Sequence, residues 1–142
     1  MKKAQFSVEY LLIVGFALVI IIPVVYYSYS SFSDSQQEIA EAAVNKIGYD
    51  IVNTAKNVYF LGQDSRVTVD MTFPDGIQNF DTRVDTLADP DQYFLFIQIH
   101  DSEILFPSAV ELRGSFIPEN YAPGLKHVKL QSYGTYVEVS IT

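Results

Sequence analysis

Hydrophobic and polar positions divide this chain into three regimes. From Tyr10 to Ser33 no residue carries a charge and most are apolar. About 20 apolar residues suffice to cross a bilayer as a helix. Backbone groups in lipid must pair within their own segment, which predicts helix here in spite of Gly15 and Pro23. Pro23 has no backbone N–H, so a bend or local loosening is expected where the Val19 carbonyl loses its partner. From Gln36 the pattern turns amphipathic. Ala40, Val44, Ile47, Ile51, Thr54, Val58 and Leu61 recur at spacings of four and three, which marks one helix face. Gly62 is the natural stop. A helix running from Gln5 to Leu61 would extend about 85 Å at ~1.5 Å per residue.

Beyond Gly62 the period changes to two. Arg66–Phe73 alternates, with Val67, Val69, Met71 and Phe73 predicted to face a core. Pro74-Asp75-Gly76 turns the chain. Residues 77–91 are polar and read mostly as loop, with a short strand expected around Phe80–Val84. Tyr93–Ile99 is the most hydrophobic strand: Tyr93, Leu95, Ile97 and Ile99 share one face, and Phe94 and Phe96 occupy the other, which predicts a central position. His100-Asp101-Ser102-Glu103 reads as a hairpin turn into Ile104-Leu105-Phe106, and Pro107 ends that strand or confines it to an edge. Glu111–Phe116 is a further candidate strand, followed by a loop from Ile117 to Gly124. Lys126–Ser132 and Thr135–Ile141 form the clearest hairpin, turning at Tyr133-Gly134.

These elements predict an α+β fold: a long N-terminal helix, first membrane-spanning and then amphipathic, packed on a small antiparallel sheet or sandwich. The β-rich part, Ser65–Thr142, is 78 residues long and contains no cysteine, a marginal size for a core of its own. Docking the face that carries Val44, Ile47, Ile51 and Val58 onto the sheet would solve two burial problems together. A coiled-coil dimer is the competing use of that face, disfavoured because Ala40 and Thr54 fill such a seam poorly.

Charge narrows the possible partners. Nine basic residues against 17 acidic give a formal net charge of −8, which offers a nucleic-acid partner no electrostatic support. Lys2 and Lys3 precede the apolar run and no basic residue follows it until Lys46, so the N-terminus is expected to stay cytoplasmic and the remainder to lie outside. Tyr26, Tyr27 and Tyr29 suit the lipid–water boundary. Three readings compete for this segment. A secretory signal would be cleaved after its apolar core, where Ser28-Tyr29-Ser30 places small residues two apart. A plain membrane anchor accounts for the length. Neither explains Glu9, a carboxylate at the mouth of a spanning helix.

Gln5-Phe6-Ser7-Val8-Glu9-Tyr10 resembles the Q-x-S-x-E-Y pattern of the class III signal sequence found in archaeal type IV pilin-like proteins. The match covers about the first 30 residues and includes Lys2 and Lys3 before the motif and the apolar run after it. The β-rich remainder resembles that family only in its layout of helix followed by head. The resemblance implies that a membrane-bound prepilin peptidase cuts between Ala4 and Gln5. The implied regions are a leader at 1–4, a transmembrane and assembly helix at 5–33, an amphipathic extension at 34–62 and an extracellular β-rich head at 65–142. It further implies that pilus assembly machinery builds the cleaved subunits into a homo-oligomeric helical filament on the cell surface. Within the implied motif, Lys2, Lys3, Gln5, Ser7, Glu9 and Tyr10 carry the signal. Gln5 and Glu9 would carry assembly, Glu9 pairing with the terminal amine of a neighbouring subunit.

The physics of such a cut is simple. It removes two lysines, takes the side-chain charge from −8 to −10, and exposes an α-amine on Gln5 whose ordinary pKa is about 7.7–8.0. Before cleavage, dragging Lys2 and Lys3 through lipid costs several kcal/mol and holds the chain in the membrane. After it, one amine and one carboxylate can neutralise each other, and an unpaired buried carboxylate biases docking towards one register.

Catalytic chemistry is hard to assemble from what remains. His100 stands beside Asp101 and Ser102, but adjacent turn residues do not make a triad. His127 falls on the polar face of a predicted strand. Asp81, Asp85, Asp89 and Asp91 form an acidic stretch that lacks the spacing and glycine of a calcium loop, so a solvated surface is expected. No cofactor, metal or catalytic residue is expected, and the chain reads as a structural protein, not an enzyme. The function expected is that of a pilin, with surface adhesion through the displayed head. The alternatives are a monomeric single-pass anchored binding module and a rotary-filament, archaellin-like subunit.

Overall fold

The computed structural model describes residues 2–87 and 91–142, and the side chains of these except residues 2–7, 33 and 34. One helix, α1 (Lys2–Leu61), runs through Pro23 without interruption. It ends where Gly62 takes a left-handed φ of 99° and its N–H bonds the Tyr59 carbonyl at 3.1 Å. Only glycine enters that region without a steric penalty. Among the described residues seven strands follow: β1 (Arg66–Phe73), β2 (Ile77–Asp85), β3 (Gln92–Ile99), β4 (Ser102–Ser108), β5 (Glu111–Arg113), β6 (Gly124–Ser132) and β7 (Tyr136–Ile141). They form a four-stranded sheet in the order β1-β6-β7-β5 and a three-stranded sheet in the order β2-β3-β4. The fold is α+β.

Two compact units make up the chain, Met1–Glu38 and Ile39–Thr142. In the second, both sheets and the helix share one core. Val44, Ile51, Ala55 and Val58 are fully buried together with Leu95, Ile97, Ile99, Phe106, Val128, Leu130 and Val137. The helix packs into this core beside residues of both sheets. Phe106 on β4 lies against Gly48, and the Ser102 hydroxyl donates to Glu41 Oε1 at 2.9 Å. Across a crevice from the edge of β1, Lys46, Ile47 and Asp50 face Asp70, Met71 and Thr72. The loop after β5 brings Phe116 and Tyr121 onto Phe80, with ring centroids 4.7 and 6.5 Å apart.

Val44, Ile47, Ile51 and Val58 are all buried as expected. At its C-terminal end the buried stripe differs from the expected one. Ala55 takes the fully buried place and Thr54 is half-buried, while Leu61 stays 69% exposed. A helix turns 100° per residue, so a spacing of four after Ile51 keeps the stripe centred, whereas three rotates it outward. The strand expected at Phe80–Val84 is longer, spanning Ile77–Asp85, because β3 offers a full ladder to a polar edge strand. Asp81 and Asp85 therefore lie on a strand, not in a loop; Asp89 falls outside the described residues. The strand expected at Glu111–Phe116 shrinks to Glu111–Arg113 and pairs with β7 in parallel, making the larger sheet mixed instead of wholly antiparallel. Pro107 sits inside β4, which is an edge strand, and β3 is central.

Candidate functional site: the exposed apolar helix

The two parts of α1 have opposite environments. Between Val44 and Val58 the apolar stripe is buried. From Val8 to Phe32 every described side chain is exposed, on all sides of the helix: Val19 is 71% exposed and Tyr26 77%. Among the described residues this is the one helix long and apolar enough, by length and composition, to cross a membrane. Leaving such a cylinder in water would cost on the order of tens of kcal/mol, at roughly 1.5–3 kcal/mol for each large apolar side chain. It therefore belongs in lipid or against other apolar surface.

Local hydrogen bonding fits either environment. The Ser28 hydroxyl donates to the Val24 carbonyl at 2.8 Å and the Ser35 hydroxyl to that of Ser31 at 2.9 Å, so neither needs water. Glu9 is the single charge within the exposed run, and both it and Tyr10 are exposed on the helix surface. The backbone from Lys2 through Ser7 is helical. The side chains of Lys2, Lys3, Ala4, Gln5 and Ser7 lie outside those described, so of the residues expected to carry the signal only Glu9 and Tyr10 are placed with their side chains.

The remaining chemical candidates go to separate places. His100 takes φ +50° at the β3–β4 turn and lays its ring over Gly76, whose φ is +93°; its N–H donates to the Gly76 carbonyl at 3.1 Å. The Ser102 hydroxyl turns instead to Glu41. His127 is exposed and holds Asp70, its cross-strand partner, at 2.6 Å. Asp81 and Asp85 spend a carboxylate oxygen each on nearby backbone N–H groups, those of Thr82 and Leu87. Among the described residues no three His, Cys, Asp or Glu side chains converge as metal ligands would.

One surface cluster has no counterpart in the sequence reading. Tyr133, in the β6–β7 turn, stacks on Tyr136 with centroids 5.2 Å apart and planes 17° from parallel. Arg113 places its guanidinium carbon 4.2 Å from the Tyr136 ring centre and donates to Glu111 at 2.6 Å. The Tyr133 hydroxyl donates to Glu138 Oε2 at 3.1 Å. That bond holds the phenol proton and raises the Tyr133 pKa above its ordinary value, helped by the Glu138 charge. The bond to Glu111 likewise raises that of Arg113. Sequence alone shows Tyr133 only as a turn residue; its stack on Tyr136 is local to the hairpin, whereas the Arg113 contact depends on β5 lying beside β7.

No protein-family model matches this chain, and neither a curated protein nor a solved structure does.

Proposed function

We propose that this chain is the structural subunit of an extracellular filament of the type IV pilus kind, made as a membrane-inserted precursor. The supporting observation is the contrast within α1: a stripe from Val44 to Val58 is buried by the chain's own head, whereas the helix from Val8 to Phe32 is exposed all round. A subunit that moves from lipid into a helical bundle needs an apolar cylinder in both places. The Q-x-S-x-E-Y resemblance supplies the order of events. Lys2 and Lys3 retain the precursor with its N-terminus in the cytoplasm, a prepilin peptidase cuts before Gln5, and assembly machinery packs the helices into a filament. Glu9 then meets the new α-amine of a neighbouring copy, because neither charge is tolerated alone in an apolar bundle. The role is structural, with the head displayed for surface attachment, and no catalysis is assigned to it.

A monomeric anchored module is the second reading, favoured by the same exposed helix, which a bilayer alone would satisfy. A rotary, archaellin-like filament is the third and shares the N-terminal logic. N-terminal sequencing of the mature protein separates the first two. A start at Gln5 supports the filament, a retained Met1 supports the anchor, and a start near Ser31 supports ordinary secretion and overturns both. Electron microscopy of the cell surface then shows whether cleaved subunits form filaments, and motility assays separate a rotary filament from an adhesive one.

A further inference from the structure

The outward face of the four-stranded sheet is polar along most of its length. Thr68, Asp70, Lys129 and Ser140 point away from the core, and Leu125 lies at one end. At the other end stand the stacked Tyr133 and Tyr136. Beside them a row crosses all four strands in register: Arg66 opposite Gln131, Gln131 opposite Glu138, and Glu138 opposite Arg113. The turn that carries Tyr133 is pinned. The Tyr133 N–H donates to the Tyr136 carbonyl at 2.9 Å, and the Gly134 N–H reaches Ser132 Oγ at 3.3 Å, with Ser132 fully buried. The ring is thus held rigid while still 39% exposed. Neither tyrosine belongs to the core.

From this arrangement we infer that the Tyr133–Tyr136 platform binds neutral saccharides. A pyranose ring has an apolar C–H face that suits a flat aromatic surface, and a hydroxyl edge that needs both donors and acceptors. Arg66, Gln131 and Arg113 supply donors, and Glu138 supplies acceptor capacity. The protein alternative is less well served. A stable protein interface covers about 800 Å² per partner around a desolvated apolar centre, whereas this platform is the exposed side of one stacked tyrosine pair in a polar field. A flat site grips a single sugar weakly, because small-ligand sites gain affinity by enclosing their ligand. Affinity on the order of millimolar is expected for one copy. Repetition along a filament would raise it by about 10²–10⁴ through multivalency. That gain alone rests on the proposed filament; the binding by a single subunit does not.

The test uses the full chain in polyoxyethylene micelles, whose headgroups carry no sugar, with cellohexaose, mannohexaose and chitohexaose as probes. Saturation-transfer NMR is expected to reach the ring C–H protons of at least one of the three. The signal should fall at least fivefold in Tyr133→Ala and stay unchanged in Leu87→Ser, an exposed control. On the native protein, the bound sugar should also shift the Tyr133 and Tyr136 ring resonances, a readout independent of how the variant folds. Absence of transfer to all three sugars, equal transfer in Tyr133→Ala, or unmoved tyrosine resonances overturns the inference. So does transfer to a proline-rich peptide in place of the sugars. Sugar binding by subunits that never form filaments would sink the proposed function and leave this inference standing, and the converse result would do the reverse.

Discussion

Phe106 lies so close to the backbone of Gly48 that a Cβ at residue 48 would overlap its ring. The contact joins β4 to the helix, and Tyr49 confines the same ring edge-on at 5.3 Å. Glycine in mid-helix normally costs about 1 kcal/mol relative to alanine; here it makes room for an aromatic ring that is fully buried.

Gly48→Ala is therefore expected to destabilise. The gain of about 1 kcal/mol in helix propensity is outweighed by overpacking, typically about 1–3 kcal/mol and more when the ring cannot retreat. A net loss of roughly 1 kcal/mol should appear as a lowered denaturation midpoint of the β-sheet circular dichroism signal. In a Phe106→Leu background the same substitution should become neutral or stabilising, and strict additivity would exclude the proposed contact.

Ile51→Ala and Leu61→Ala separate the two kinds of apolar position on the helix. Ile51 is fully buried, and its truncation should cost about 2–5 kcal/mol. Leu61, exposed beside the helix end, should change stability by less than about 0.5 kcal/mol. Chemical denaturation of both variants in the same micelles checks the pair.

Glu9→Val removes the one charge in the exposed apolar run. The variant should insert and be cleaved normally, since the apolar length is kept, yet filaments should be scarce by electron microscopy. Normal filament yield would remove Glu9 from assembly.

The Tyr133–Glu138 bond predicts a pH dependence. Because the folded-state phenol pKa is raised, its contribution to stability is complete below the ordinary tyrosine value of about 10. It is lost as pH rises through the higher folded value. Spectrophotometric titration should show one tyrosine ionising late, and Glu138→Gln should bring it back towards the ordinary range. An unchanged titration in that variant would argue against the bond.

Much of the architecture was legible in the chain. The charge-free run, the four-three spacing of Val44, Ile47, Ile51 and Val58, Gly62 as the stop and the terminal hairpin all came from local periodicity. Such patterns are readable because each element must present one face to the core. The cleavage and assembly roles proposed for Gln5 and Glu9 rest on resemblance, not on periodicity.

What the tertiary structure decided is non-local. Whether residue 54 or 55 closes the buried stripe depends on the helix's rotation against the sheets. The polar stretch from Ile77 becomes a full strand because β3 lies beside it with an open ladder. Glu111–Arg113 runs parallel to β7, a pairing between segments more than twenty residues apart in the chain. Gly48 looks like a helix defect until Phe106 arrives beside it, and Tyr136 looks like an ordinary strand residue until Arg113 lies over its ring. Which segments are helical, which alternate and which face cannot stay in water follow from side chains a few residues apart. Register, the parallel pair and the seating of Arg113 on Tyr136 were settled only by close packing, which matches shapes between residues that the chain order does not bring together.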